Sequence, residues 1–183
     1  DPTFWRVLRN TAIYSVAVVV MAQTLAFFLA LLLNERVRGQ SFFRTIAFLP
    51  HVTMTAAAAL IWVLLLHPQF GPLSALYALL GIEGPNLLDS ASLAIIAIII
   101  VGVWKETAFA SIFFLAGLQS LPLDCYEAAR IDGAGGWERF RHITVPLLRP
   151  ALLFCLVMSL IGSSQVFGQS YILTGGGPHY STL

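Results

Sequence analysis

The chain has 183 residues, the length of one domain, and a formal net charge of +1, which gives no reason to expect nucleic acid as a partner. Apolar residues make up 58% of it and charged residues 10%, against about 45–50% and about 25% in ordinary globular domains. A soluble domain could not cover itself with so few charges, and a disordered chain is poor in apolar residues, so what remains is a polytopic membrane protein in a lipid bilayer.

Charges mark the edges of the membrane segments. Nothing charged lies between Arg9 and Glu35, which leaves 11–33 as a first span, long enough to cross a bilayer core as a helix. Nothing charged lies between Arg44 and Glu83 either, but His67-Pro68 and Gly71-Pro72 break that run. The second span is therefore 45–66, with Pro50 near its start, where a proline costs a helix little. A third stretch, 91–118, is interrupted only by Lys105-Glu106, and a fourth, 150–173, ends before Thr174-Gly175-Gly176-Gly177-Pro178.

The third stretch is either one long helix or two short spans turning at Lys105-Glu106. Trp104-Lys105-Glu106-Thr107 holds no Gly, Pro, Asn or Asp to make a turn. Charge agrees with one helix, because cytoplasmic loops collect Lys and Arg. With one helix, the loops 34–44 and 119–149 share a side and hold Arg36, Arg38, Arg44, Arg130, Arg139, Arg141 and Arg149, while the other side holds Arg6 and Arg9. The expectation is four spans, with 34–44 and 119–149 in the cytoplasm and 67–90 outside. Asp1-Pro2 shows no signal-peptide pattern, there is no initiator Met, and the chain stops just after a turn, so a fragment of a longer protein is expected.

The loop 119–149 carries the most information. Residues 125–132, with Glu127-Ala128-Ala129-Arg130 inside, suit a helix that Gly133 ends. Gly135-Gly136 allows a sharp bend. Residues 137–143 suit a second short amphipathic helix, with Trp137, Phe140 and Ile143 on one face. Pro146 and Pro150 flank the start of the next span. A helix–glycine–helix elbow held between two spans can act as a lever; on spacing alone a solvated connection is an equal reading.

Glu127-Ala128-Ala129, then Gly133, then Ile143-Thr144-Val145-Pro146 resembles the signature of the permease subunits of binding-protein-dependent ABC importers: EAA, three residues, Gly, nine residues, Ile, any residue, Leu-Pro. Every spacing matches, and Val145 stands where Leu is usual. Asn10-Thr11, Leu33-Asn34, Phe43-Arg44, Phe48-Leu49-Pro50, Trp104-Lys105, the run from Leu115 to Pro122 and Thr174 to Pro178 are similar to the carbohydrate-uptake type, across essentially the whole chain.

The resemblance implies an all-α type I importer permease bundle, with one span before Asp1 and one after Leu183. It implies that the loop docks on a cytoplasmic ATPase dimer through Glu127, Ala128, Ala129, Asp132, Gly133, Ile143 and Pro146, with Glu127 as polar anchor and Gly133 as hinge. It further implies a second permease subunit, an extracytoplasmic solute-binding protein and a bacterial or archaeal cytoplasmic membrane. ATP hydrolysis belongs to the partner: the chain has no GxxxxGK[ST], and Gly175-Gly176-Gly177 runs into Pro178 rather than a lysine. The chain is thus not expected to be an enzyme.

Lys105 and Glu106 lie far inside an apolar stretch, where a charge costs about 2.5–3.5 kcal/mol and faces a partner or a wet cavity. Adjacent helical residues point apart, so each needs its own partner. The alternative is a pair that snorkels to an interface. In the fourth stretch Ser159, Gly162, Ser163 and Val166 fall on one helical face, which suits either a polar lining or close helix packing. The resemblance places the solute pocket on Gly102, Lys105, Glu106 and Phe109 and on Ser159, Gly162, Ser163 and Val166.

Cys125 and Cys155 form no CxxC, and His51, His67, His142 and His179 share no ligand spacing, so no metal or other cofactor is expected. Phe4, Trp5 and Tyr14 suit an interfacial aromatic belt. An ion-coupled secondary transporter using Lys105 and Glu106 is the alternative, and it leaves the EAA loop without a role. A membrane enzyme ranks last, for want of any paired His, Asp or Glu constellation.

Overall fold

A computed structural model describes residues 2–35, 38–79, 81, 87–88 and 90–177. All regular structure among them is helical. The first helix, α1, runs Pro2–Asn34. Its outer face shows Val16, Val20, Phe28 and Leu32 to the surroundings, and the Thr24 hydroxyl on that face donates to Val20 O at 2.8 Å. An apolar face with its one hydroxyl satisfied inside the helix is what a lipid-facing helix requires. At the other end Gln40 Nε2 and Arg44 Nη2 donate to Leu33 O at 2.9 and 3.1 Å, capping one carbonyl that the helix leaves open.

The central helix, α5, spans Ala91–Gln119 without a turn at Lys105-Glu106. It packs along α1, and many buried positions of the pair are small: Ala22, Ala26 and Ala30 on one helix, Ala94, Ala97, Ala108 and Ala110 on the other. Small residues let two backbones approach closely. The two helices are tightly apposed at Gly102, where an added Cβ would overlap the Tyr14 hydroxyl and stand 3.1 Å from Val18 Cγ2. Both helices are long and apolar enough to cross a membrane.

The second stretch is not one helix. Helix α2, Gln40–Val52, and helix α3, Thr55–Leu65, meet at a bend of 100°. The expected span 45–66 assigned Pro50 to a helix start, but it lies in the last turn of α2, with its ring replacing the N–H that would reach Ile46 O. Thr53 and Met54 are both extended, and the Thr53 hydroxyl takes the Pro50 carbonyl at 2.7 Å. A short helix α4, Pro72–Leu79, follows.

After α5 come α6, Leu123–Ile131, and α7, Gly136–Arg139, then a π-helical turn Phe140–Thr144, α8, Val145–Leu147, and α9, Arg149–Ser164. The helix expected at 137–143 is present within a continuous helical run, Gly136–Leu147, that widens to a π turn in its middle. Pro146 cannot donate to the turn before it, and Val145 N–H reaches back five residues to Phe140 O. A further bend of 56° lies at Leu148, ahead of Pro150.

The fourth stretch is also broken. Helix α9 stops at Ser164, and α10 resumes at Phe167–Thr174. Ser163 and Ser164 hydroxyls both donate to Leu160 O, at 3.1 and 2.8 Å. Such back-bonding competes with the helical N–H and bends helices. Val166 therefore sits in the break, not on the α9 face that Ser159, Gly162 and Ser163 share.

Two apolar cores result. One joins Ala26, Ala30, Leu33, Phe114, Leu118, Leu148 and Cys155 near the 119–149 end. The other joins Tyr14, Val18, Ala59, Ile98, Val101 and Leu173. Lys105 and Glu106 lie on α5 between them.

Candidate functional site

The layer between the two cores holds a cavity of about 500 Å³, lined by Tyr14, His51, Thr55, Gly102, Lys105, Glu106, Gly162, Ser163, Gln165, Val166, Gly168 and Gln169. Two of the fold's irregularities open onto it. The bend between α2 and α3 brings His51 and Thr55 to one wall, the break after α9 brings Gln165, Val166 and Gln169 to another, and α5 supplies the charged pair. Irregular backbone at membrane depth is tolerated where it lines a cavity.

Lys105 and Glu106 reach different partners. The Lys105 ammonium donates to Thr55 Oγ1 across the 100° bend. Glu106 Oε2 accepts the Ser159 hydroxyl at 3.0 Å. Gln169 is buried, and its Nε2 donates to Ile98 O at 3.4 Å. Of the eight residues expected to form the pocket, Gly102, Lys105, Glu106, Gly162, Ser163 and Val166 line the cavity. Ser159 stands behind Glu106, fully buried. Phe109 lies one turn along α5 from Lys105 and sets its ring at a tilt against His51, 5.0 Å between centroids.

Tyr14 corrects an expectation. It is 6% exposed and packs in the second core, so it does not belong to an interfacial belt. Its hydroxyl edges the cavity beside Gly102, which has no side chain to displace it. His51 and Thr55 also went unmarked, because only the bend at Thr53-Met54 carries them to this wall. No cluster of His, Cys, Asp or Glu able to hold a metal occurs among the described residues. His67 Nδ1 accepts Gln69 N–H at 3.2 Å within a turn, and His142 Nδ1 meets Glu138 O at 3.1 Å. His179 lies outside the described residues.

A second feature is the elbow between α5 and α9. Helix α6 begins two residues before the expected 125–132 and ends on Asp132 as its C-cap. Gly133 follows at φ +80°, a conformation that favours glycine. Gly133 N–H donates to Arg130 O at 3.1 Å and Ala134 N–H to Ala129 O at 2.9 Å, the two bonds of a Schellman end. Gly135 N–H then donates to Glu138 Oε2 at 2.8 Å, opening α7.

Glu127, Ala128, Asp132 and Gly133 are exposed, Ala129, Ile143 and Pro146 half-buried. Around them Leu123, Ile131 and Trp137 stand 74%, 86% and 68% exposed. One hydrogen bond braces the elbow across its two halves, and one chain of rings ties it to the spans. Tyr126 Oη and Thr144 Oγ1 share a hydrogen bond of 2.8 Å. Trp137 stacks on Phe140, Phe140 contacts Phe27, and Phe27 meets Phe114 of α5, with centroids 5.4, 6.0 and 5.8 Å apart. At the far end of α10, Gly175, Gly176 and Gly177 all have positive φ.

The family model described as "Binding-protein-dependent transport system inner membrane component" matches residues 22–178. The chain is 40% identical over 179 residues to the trehalose/maltose transport system permease protein MalF of Thermococcus litoralis, covering 98% of this chain and 61% of that protein. It is 38% identical over 188 residues to the lactose transport system permease protein LacF of Rhizobium radiobacter, covering 100% and 63%. It is 36% identical over 183 residues to the sn-glycerol-3-phosphate transport system permease protein UgpA of Agrobacterium fabrum, covering 100% and 62%. The chain thus spans a little over three-fifths of the length of these relatives. Among solved structures it is similar to a bacterial ABC transporter that imports the acidic polysaccharide alginate, with a TM-score of 0.87 and 26% identity, covering 100% of this chain and 64% of that one. The same transporter is also known in complex with an alginate pentasaccharide-bound periplasmic protein, with the same similarity.

Proposed function

Because the chain belongs to the family of binding-protein-dependent transport system inner membrane components and has the all-helical fold of a type I importer permease, we propose that it forms part of the translocation path for a small hydrophilic solute, a sugar or polyol-like compound. The observation that carries this is the polar cavity between the two cores. Its volume is that of a small-molecule site, about 300–1,000 Å³. It offers an ammonium, a carboxylate, hydroxyls and amides within a membrane-spanning bundle. Polyhydroxylated solutes need donors and acceptors in that mixture, with aromatic faces such as Phe109 beside them. The sugar class rests also on the solutes in the relatives' names.

In this reading ATP hydrolysis takes place on a cytoplasmic ATPase dimer that grips the elbow. Leu123, Ile131 and Trp137 give that partner an apolar surface, and Glu127 gives it a charged anchor. The Tyr126–Thr144 bond makes the two halves of the elbow move together, and the ring contacts Trp137–Phe140–Phe27–Phe114 carry that movement into α1 and α5. A second permease subunit closes the path on its open side, and a solute-binding protein meets the turn at 175–177. The membrane is the cytoplasmic membrane of a bacterium or archaeon.

The test is ATP hydrolysis by the full complex in liposomes with its binding protein, screened across trehalose, maltose, lactose and sn-glycerol 3-phosphate. Stimulation by one of them, with uptake of that solute, supports the reading. Uptake driven by an ion gradient without ATP would replace it with the ion-coupled alternative through Lys105 and Glu106.

A further inference from the structure

Glu106 is held from behind by a chain of hydrogen bonds that crosses three helices. Gln23 Nε2, on α1, donates to Ser159 Oγ, on α9, at 3.0 Å. Ser159 Oγ donates in turn to Glu106 Oε2, on α5, at 3.0 Å. A hydroxyl has one proton and two lone pairs, so the amide fixes which way that proton points. The order amide, hydroxyl, carboxylate has one direction, and each bond strengthens the next. Glu106 Oε1 is left on the cavity side, opposite Gly162, where even an added Cβ would stand 3.6 Å away.

We infer that Gln23 and Ser159 are positioning residues that hold Glu106 with Oε1 presented to the cavity as the acceptor for a solute hydroxyl. This rests on the reading of the cavity as a solute site. The competing explanation is that the Gln23–Ser159 bond merely ties α1 to α9, as polar residues do in membrane bundles. Gln23 Oε1 argues against that. It is buried with no hydrogen-bond partner among the described residues, and an unpaired buried carbonyl is a cost. A leucine would fill the same place without it. An amide placed there at that cost is explained by what its N–H group orients.

The experiment uses the full-length permease assembled with its partners in proteoliposomes. Labelled trehalose, maltose or lactose, whichever the wild type takes up, is presented at saturating loaded binding protein, so that the binding protein's affinity does not enter. Uptake per ATP hydrolysed and yield of assembled complex are measured for Gln23→Leu, Ser159→Ala, Ser159→Thr, Glu106→Gln and the double variant Gln23→Leu/Glu106→Gln. Gln23→Leu and Ser159→Ala should each lower uptake per ATP by about fivefold, the loss expected for one hydrogen bond, with assembly at wild-type yield. Ser159→Thr, which keeps the hydroxyl, should retain the wild-type ratio. Glu106→Gln should lower it at least as far, and the double variant should be no worse than Glu106→Gln alone.

If Gln23→Leu adds its full factor on top of Glu106→Gln, or lowers yield while leaving the ratio unchanged, the two residues are packing and the inference is overturned. If Glu106→Gln itself leaves uptake per ATP at the wild-type value, the solute reading of the cavity falls, and the positioning role with it.

Discussion

Replacing Gly133 by alanine isolates one physical quantity. Gly133 has φ +80°, and an added Cβ would meet nothing within 4 Å. Steric conflict with neighbours is therefore absent, and the backbone conformation alone sets the cost. A residue with a Cβ pays about 1–2 kcal/mol in the left-handed region. The chain can escape that cost by unwinding the Schellman turn, which gives up the bonds from Gly133 and Ala134 to Arg130 and Ala129. The docking-competent elbow then becomes a minority conformer, and apparent affinity for the ATPase falls by the same fraction. From about 1–2 kcal/mol the expected loss is about 5–30-fold. Gly133→Asn should lie between, since asparagine tolerates this region better. Gly135→Ala is the control: Gly135 has φ −67°, open to any residue, and its added Cβ would stand 3.9 Å from Glu138 Oε2. The assay is a titration of purified ATPase against the solubilised permease complex, alongside uptake per ATP in proteoliposomes. Equal affinity for Gly133→Ala and Gly135→Ala would refute the reasoning, because only Gly133 holds a left-handed backbone.

Three further outcomes are expected. Gly102→Ala should lower the thermal stability of the assembled complex, because the new Cβ overlaps the Tyr14 hydroxyl, and Tyr14→Phe in the same chain should recover part of the loss on a melting curve. Tyr126→Phe removes the 2.8 Å bond to Thr144 and should cost about 1 kcal/mol at the elbow; it should show as ATP hydrolysis with less uptake, whereas unchanged uptake per ATP would mean this tie carries no movement. With the exposed native Cys125 replaced by serine, Gln69→Cys should react with an impermeant thiol reagent in intact cells and Glu138→Cys should not; the reverse pattern would reject the orientation read from the arginines.

What was legible in the sequence follows from how local each feature is. The elbow is written in consecutive residues, so the EAA spacing and the helix-ending Gly133 could be read directly. The charged pair was visible because Lys105 and Glu106 interrupt an apolar run, and their separate partners followed from the helical twist between neighbours. Which partners these are was not visible, since Thr55 and Ser159 lie fifty or more positions away along the chain. The breaks at Thr53-Met54 and Gln165-Val166 contain no glycine or proline. They arise from hydroxyl groups bonding back to the carbonyls of Pro50 and Leu160, a competition that apolar composition conceals. Tyr14 was misread for the same reason that His51 was missed: composition cannot tell an aromatic facing lipid from one facing a cavity built by other helices.

The claim on which the account turns is that solute passes through the cavity between the two cores. Gly162 tests it most directly, because it lines that space and its added Cβ would lie at ordinary contact distance from Glu106. A tryptophan there would project into that space beside Glu106 and obstruct it, far from the elbow. Solute uptake by the Gly162→Trp complex in proteoliposomes is the measurement. The account predicts that uptake is lost while assembly and basal ATP hydrolysis stay at wild-type levels; uptake at the wild-type rate would contradict it.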